Sequence, residues 1–252
     1  MKNLLVTGSK GFIARNLIPR LEEMPFFIKE FCRNNHINEL NSMVKEADFI
    51  FHLAGEVKPN STREQFENSN SHLTKSLISA VKKTQRKIPI ILASSIHSDS
   101  SNNLYGQTKR ESEHLIERFS IEEKVECSIF KIPHVFGEGC KPNYNSVITT
   151  WIYNKVNNLE TIVYDRNFQM TYVYVQDLVD DFIKCIKLEG HNENKIYKEC
   201  STTYKTTLGE VYDFIDEFSD NAFDESYVIK DNDFKLKLFK VFKQYKKDKY
   251  EL

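Results

Sequence analysis

The sequence predicts an α/β fold, a doubly wound parallel sheet followed by a small C-terminal lobe. Three observations carry this prediction. Short apolar runs recur through the first half of the chain and alternate with amphipathic stretches of helical period, the pattern of βαβ units. The runs are apolar throughout, as strands covered by helices on both faces must be. The first run turns directly into a Gly-rich segment that opens a helix.

Taken in order, strands are predicted at residues 3–7, 26–31, 49–53, 88–93 and 126–132, each too short and too apolar for a surface helix. Helices are predicted from near Gly11, then over 37–47, 62–84 and 105–119. This count assigns residues 1–133 to a dinucleotide-binding Rossmann core. After Pro133 the alternation loosens. A loop over 134–144 leads to a helix over 145–156 and β-like pieces at 161–164 and 170–175. Residues 134–252 therefore read as mainly a substrate-binding lobe, with some segments returning to the core. The Lys-rich ending FKLKLFKVFKQYKKDKYEL reads as a solvated terminal helix.

Bulk composition narrows the function classes. The 252 residues, 40% hydrophobic and 28% charged, suffice for a sizeable core. Lys plus Arg (35) nearly cancels Asp plus Glu (36), which argues against nucleic-acid or anionic-membrane binding. The five cysteines show no CxxC spacing and fit reduced thiols in a cytoplasmic protein. The apolar stretch at the N-terminus is too short for a secretory signal, and no run of about 18 apolar residues suggests a membrane span. His, Cys and acidic residues do not cluster at metal-ligand spacing, so no metal is expected.

Chemistry concentrates at a few strand ends. Gly8-Ser9-Lys10-Gly11-Phe12-Ile13-Ala14 stands where a dinucleotide pyrophosphate meets free N–H groups and the positive end of a helix dipole. At the end of the second strand, Arg33 suits a ribose 2′-phosphate and so favours NADPH over NAD. The alternatives are that Arg33 is a solvated loop charge and that Lys10 contributes instead. Leu53, Ala54 and Gly55 close the third strand on the cofactor side with small residues, while His52 reads as a packed histidine. Asn70 lies mid-helix, placed either to bond a buried group near the site or to face solvent. Ser94 and Ser95 follow the fourth strand. Tyr105 and Lys109, four apart at the start of a helix, share one face, so the ammonium can draw the phenol down from its usual pKa of about 10. Pro133 completes the cofactor-facing set. His134, Lys141, Asn143 and Asn145 offer polar groups to a sugar, and Arg166 with Lys141 offers charge to a diphosphate.

With these motifs in order, residues 1 to about 215 resemble the extended short-chain dehydrogenase/reductases, the NAD-dependent epimerase/dehydratase family. The segment Cys140-Lys141-Pro142-Asn143-Tyr144-Asn145-Ser146-Val147-Ile148 and Asp165-Arg166-Asn167 look like the reductase domain of bacterial capsular-polysaccharide UDP-sugar 4-ketoreductases of the CapF type. The resemblance implies an oxidoreductase in which NADPH delivers hydride to C4 of a UDP-linked 6-deoxy-hexos-4-ulose, on the way to an amino sugar such as N-acetylfucosamine. Ser95, Tyr105 and Lys109 inherit the catalytic roles. Three departures stand out. Ala14 replaces a usual Gly, His134 replaces a usual Asn, and the chain ends where those reductases begin a cupin epimerase domain. The last implies either a stand-alone reductase or a separate epimerase partner. Helices 62–84 and 105–119 could pair into a homodimer as in the resembled family, and their periodicity fits burial within one chain as well. A 4,6-dehydratase would need an acidic pair after the serines, where this chain has Ile96-His97. A 4-epimerase with tightly held NAD would place an acid where Arg33 stands, and a non-catalytic dinucleotide sensor would not need Ser95, Tyr105 and Lys109 together.

Overall fold

The computed structural model describes residues 1–100, 103–187, 195–221 and 227–250. The chain divides into two compact units. The first comprises Met1–Ile132 with Val179–Ser201, the second Pro133–Leu178 with Thr202–Leu252.

In the first unit the chain runs β1 (Lys2–Thr7), α1 (Phe12–Glu22), β2 (Phe26–Phe31), α2 (Ile37–Glu46), β3 (Phe49–His52) and α3 (Arg63–Glu67). A π-helical turn (Asn68–His72) joins α3 to α4 (Leu73–Thr84), and β4 (Ile90–Ser95), a 3-10 turn (Ile96–Asp99), α5 (Leu104–Glu123) and β5 (Cys127–Ile132) follow. The second unit then contributes β6 (His134–Phe136), α6 (Val147–Val156), β7 (Gln169–Tyr174) and the start of α7 (Val175–Lys187). After β8 (Tyr197–Lys198) back in the first unit, the second closes with β9 (Tyr204–Thr207), α8 (Leu208–Asn221) and α9 (Asp233–Tyr250).

The first unit holds a six-stranded sheet of order β2-β1-β3-β4-β5-β8, parallel throughout. Every residue of β3 and β4 is buried, the apolar ones as a sheet covered on both faces requires and the polar His52, Ser94 and Ser95 at the strand ends with them. On one face Leu40 and Val44 of α2, Leu77 and Val81 of α4, and Ile116 and Phe119 of α5 pack with Leu5, Ile50, Ile90 and Ile129. Phe182 of α7 packs against Phe51 and Phe130, with ring centroids 6.1 and 5.0 Å away. The order of strands reverses direction between β1 and β3, and in open parallel sheets ligands bind at such switch points, beyond the carboxyl ends. There the amide of Leu53 donates to the Thr7 carbonyl at 3.2 Å, so the Gly-rich turn and the end of β3 lie side by side.

The second unit is built on a three-stranded sheet, β6-β7-β9, with β6 parallel and β9 antiparallel to β7. Helices α6, α8 and α9 cover it through Trp151, Ile152, Val211, Phe218, Leu238 and Phe242. Helix α9 is not the solvated helix its lysines suggest. Phe234, Leu238, Val241 and Phe242 recur at helical spacing and are buried, and the exposed lysines, Lys240, Lys243 and Lys247, occupy the opposite part of its circumference. One lysine turns inward. Lys237 donates to Asp177 (2.8 Å), Asp233 (2.8 Å) and the Tyr204 hydroxyl (2.6 Å), and its ammonium lies 5.5 and 5.3 Å from the Tyr174 and Tyr204 ring centroids. Its side chain is 15% exposed and that of Asp177 19%. Lys237→Met is expected to lower the unfolding free energy by about 2 kcal/mol in a denaturant titration, because the half-buried Asp177 would lose its cation and keep only the Tyr204 hydroxyl; an unchanged midpoint would show the cluster to be energetically idle.

Several sequence expectations shift. The fourth strand runs two residues further than predicted, making Ser94 and Ser95 strand residues. The predicted helix 62–84 is interrupted by the π turn, and the loop over 134–144 begins with the short strand β6. Residues 161–164 form no strand among the described residues. Ile162 and Tyr164 face outward and only Val163 packs on the core, so pairing there would bury little. Among the described residues, no helix is long and apolar enough to cross a membrane.

Candidate active site

The Gly-rich turn fits a phosphate-bearing dinucleotide. Gly8 adopts φ +69°, and a Cβ there would stand 2.6 Å from the Cα of Ala54, so any side chain would collide with the backbone after β3. Gly11 caps α1 without a side-chain hydrogen bond, and the first turn of α1 carries no acidic residue, so the N–H groups of Phe12 and Ile13 are of the kind that would meet an anion. The Ser9 hydroxyl is buried with no partner, an orphan that a ligand oxygen would satisfy. Ala14 is 1% exposed, so the small residue is what lets α1 close on the sheet. Lys10 pairs with Glu30 at 3.1 Å on the surface.

At the end of β2, Arg33 is not a free charge. Its Nη2 donates to Oε2 of Glu56 at 3.0 Å. Glu56 follows Gly55 directly and sequence reasoning passed over it, because its carboxylate is buried on partners that lie 23 residues away in sequence or on adjacent backbone.

The π turn places Asn70 in the interior. Its side chain accepts from the Glu56 amide at 2.8 Å and donates to the Thr108 hydroxyl at 2.9 Å, and Thr108 in turn donates to the Tyr105 carbonyl at 3.0 Å. Asn70 thus ties the end of β3 to the first turn of α5. The Asn70 carbonyl accepts from Thr74, whose hydroxyl bonds Nε2 of His52 at 2.8 Å, while Nδ1 of His52 meets Thr7 at 2.7 Å. Burial, with a smaller contribution from the charge of Lys109, pushes the His52 pKa down to about 3, so this imidazole is a neutral structural bridge.

Tyr105, Lys109 and Ser95 come together in the first unit. The phenol of Tyr105 lies near enough to the Ser95 hydroxyl to feel it, and the Tyr105 ring lies 6.1 Å from both the Phe66 and the His97 rings. Ser95 also accepts from the His97 amide at 3.2 Å. Lys109 is 5% exposed and donates to the Ala93 carbonyl at 2.6 Å. A Cβ on Gly55 would stand 3.0 Å from Oδ1 of Asn70 and 3.2 Å from Nζ of Lys109, which shows how closely the end of β3 approaches both. Burial lowers the Lys109 pKa to about 8, opposed by the carboxylate of Glu113 one turn along α5. For Tyr105, burial raises the pKa and the Ser95 hydroxyl partly offsets it. The expected lowering by the neighbouring ammonium is therefore not what governs this phenol, because desolvation penalises the phenolate more. Glu113, unflagged by the sequence, is fully buried, accepts from Ser94 and pairs with Arg110 at 3.0 Å. Its position four residues beyond Lys109 was the available signal.

The remaining candidates lie in the second unit, which Pro133 opens. His134 begins β6 with its ring 6.0 Å from that of Tyr172. Lys141, Asn143 and Asn145 lie on the exposed loop before α6, where Asn143 has φ +54° and its amide donates to Thr150 at 3.0 Å. Arg166 is held by both carboxylate oxygens of Asp213 at 2.7 Å.

Comparison with known proteins sharpens this picture. The model of the NAD dependent epimerase/dehydratase family matches residues 4–198. A UDP-2-acetamido-2,6-beta-L-arabino-hexul-4-ose reductase of Pseudomonas aeruginosa is 33% identical over 216 residues, 85% of this chain and 57% of that protein. Among solved structures, the capsular polysaccharide assembling protein CapF of Staphylococcus aureus superposes with a TM-score of 0.84 at 33% identity, covering 96% of this chain and 64% of CapF. The Bordetella bronchiseptica enzyme WbmF, solved with NAD+, superposes with a TM-score of 0.81 over 99% of this chain and 94% of its own, and at 15% identity this is a likeness of fold. The chain spans less than two thirds of the length of the reductase and of CapF.

Proposed function

Since the chain belongs to the NAD dependent epimerase/dehydratase family, we propose that it is an NADPH-dependent reductase acting on the C4 ketone of a UDP-linked 6-deoxy-hexos-4-ulose. The observation that carries the reading is the gathering of Tyr105 and Ser95 at the end of β4 with Lys109, which is buried one turn further along α5 and donates to the Ala93 carbonyl at 2.6 Å. The named substrate of the Pseudomonas relative supports the sugar. Arg33 at the end of β2 supports NADPH over NAD. The absence of an acidic pair after Ser95, where Ile96 and His97 stand, supports reduction over dehydration.

When bound, the dinucleotide would supply hydride for the carbonyl carbon. The chain supplies the rest. Ser95 and Tyr105 hydrogen-bond the carbonyl oxygen, and Tyr105 gives its proton to that oxygen as negative charge develops. The raised Tyr105 pKa keeps the phenol protonated at neutral pH, as a donor must be. Lys109 is held on the Ala93 carbonyl and brings a buried positive charge to the same helix face. Contacts to the sugar nucleotide are assigned to His134, Lys141, Asn143 and Asn145. Arg166 is already engaged by Asp213, which leaves Lys141 to meet the diphosphate.

The test is to mix the purified protein with NADPH or NADH and a panel of UDP-4-keto sugars and follow the absorbance of the reduced cofactor. NADPH oxidation is expected; tight cofactor binding with no oxidation by any ketone would replace this reading with an epimerase that retains NAD. Turnover should also decline as pH rises through about 8. Lys109, its pKa lowered to about 8 by burial, is charged below that value and neutral above it. A pH profile flat from 7 to 9.5 would exclude a role for its charge.

A further inference from the structure

Glu56 makes an ion pair that the reaction does not require. It follows Gly55 at the end of β3, and its side chain is 4% exposed. One carboxylate oxygen accepts from the amides of Val57 (3.0 Å) and Lys58 (2.9 Å), and the other accepts from Nη2 of Arg33 (3.0 Å). Its own amide is fixed on Asn70. Burial opposes ionisation, but the Lys58 and Val57 amides and the Arg33 guanidinium outweigh it and hold the carboxyl below its usual range. Glu56 is therefore a fixed, buried negative charge beside the arginine that is assigned to a ribose 2′-phosphate.

We propose that Glu56 sets the cofactor preference by opposing the 2′-phosphate, so that the chain accepts NADH as well as NADPH. The inference rests on the assignment of the adenosine ribose to Arg33. The charge on Arg33 is already partly neutralised, and a dianionic phosphate arriving there meets a carboxylate that cannot move away or be hydrated. Neutral 2′-hydroxyl carries no such penalty. Glu56 could instead help NADPH by ordering the guanidinium. Arg33, however, is 74% exposed and held at one nitrogen, so little of its rotamer freedom is removed, whereas a buried charge is weakly screened. Coulombic repulsion is the larger effect.

The test is calorimetric titration of the full chain with NADPH and with NADH, which needs no sugar substrate. The unaltered protein should bind the two within about tenfold of each other, and Glu56→Gln should tighten NADPH by roughly 5- to 10-fold while leaving NADH within about twofold. Gln keeps an acceptor for the Val57 and Lys58 amides, and a melting temperature close to that of the parent establishes that the variant is folded. Glu56→Asp retains the charge and should stay near the parental ratio. The proposal is overturned if Glu56→Gln leaves NADPH affinity unchanged or weakens it, if Glu56→Asp tightens NADPH as much as Gln does, or if the unaltered protein prefers NADPH by about 100-fold or more. The last of these needs no variant. If neither dinucleotide binds, the cofactor assignment and this inference fall together; if both bind and no UDP-sugar is reduced, only the proposed reaction falls.

Discussion

Tyr105→Phe is expected to lower ketone turnover by roughly 10²- to 10⁴-fold, the contribution typical of a positioned general acid, while leaving NADPH affinity unaltered. The phenylalanine ring keeps its place between Phe66 and His97, so the packing around α5 survives. What disappears is the hydroxyl that lies beside Ser95 and carries the proton. Ser95 keeps the His97 amide and can still polarise a carbonyl, so residual activity above background is expected. Single-turnover kinetics at saturating cofactor isolates this step from product release. A variant with undiminished turnover would remove Tyr105 from the mechanism.

Gly106→Ala should produce a loss nearly as large, although Gly106 has no side chain to lend to the chemistry. A Cβ at Gly106 would lie 2.2 Å from the carbonyl oxygen of His97 and 2.7 Å from that of Ser100. Both atoms are backbone, so no side-chain rotamer relieves the collision, and the first turn of α5 must retreat from the 3-10 turn. Tyr105 is carried with it, away from Ser95. Misplacing a catalytic group by about 1 Å can cost on the order of 10² in rate, and overpacking of this kind typically destabilises by about 1–3 kcal/mol. The measurement is kcat alongside a denaturation midpoint. A drop in kcat much larger than the stability loss predicts is the expected outcome, and an unchanged kcat would show that α5 can shift without moving Tyr105.

What the sequence made legible was local. The Gly-rich turn, the apolar strands and the Tyr105-to-Lys109 spacing each lie within a few residues, and the fold class follows from them. The π turn was not legible. Phe66, Leu77 and Val81 are apolar positions that suit a helix on either side of it, and nothing in Asn68-Ser69-Asn70-Ser71-His72 marks the extra residue that turns Asn70 inward. The buried acids were hidden for a different reason. Glu56 and Glu113 resemble surface carboxylates until Arg33 and Ser94 are brought to them across 23 and 19 residues. Strand β8 escaped notice because its two residues owe their conformation to pairing with Ile129 and Phe130 rather than to any pattern of their own.

That sixth strand has a consequence for how the protein is made. The first unit is not contiguous in sequence: its sheet is completed by Tyr197 and Lys198, and Phe51 and Phe130 wait for Phe182, only after the chain has passed through β6, α6 and β7. During synthesis β1 to β5 must therefore persist with β5 as an open edge and with one face covered by α1 alone, a state prone to pairing with other nascent chains. A ribosome that paused after β5 had left the exit tunnel, and before Phe182 and β8 emerged, would display that edge for as long as it paused, so slow translation there should most reduce the yield of folded protein.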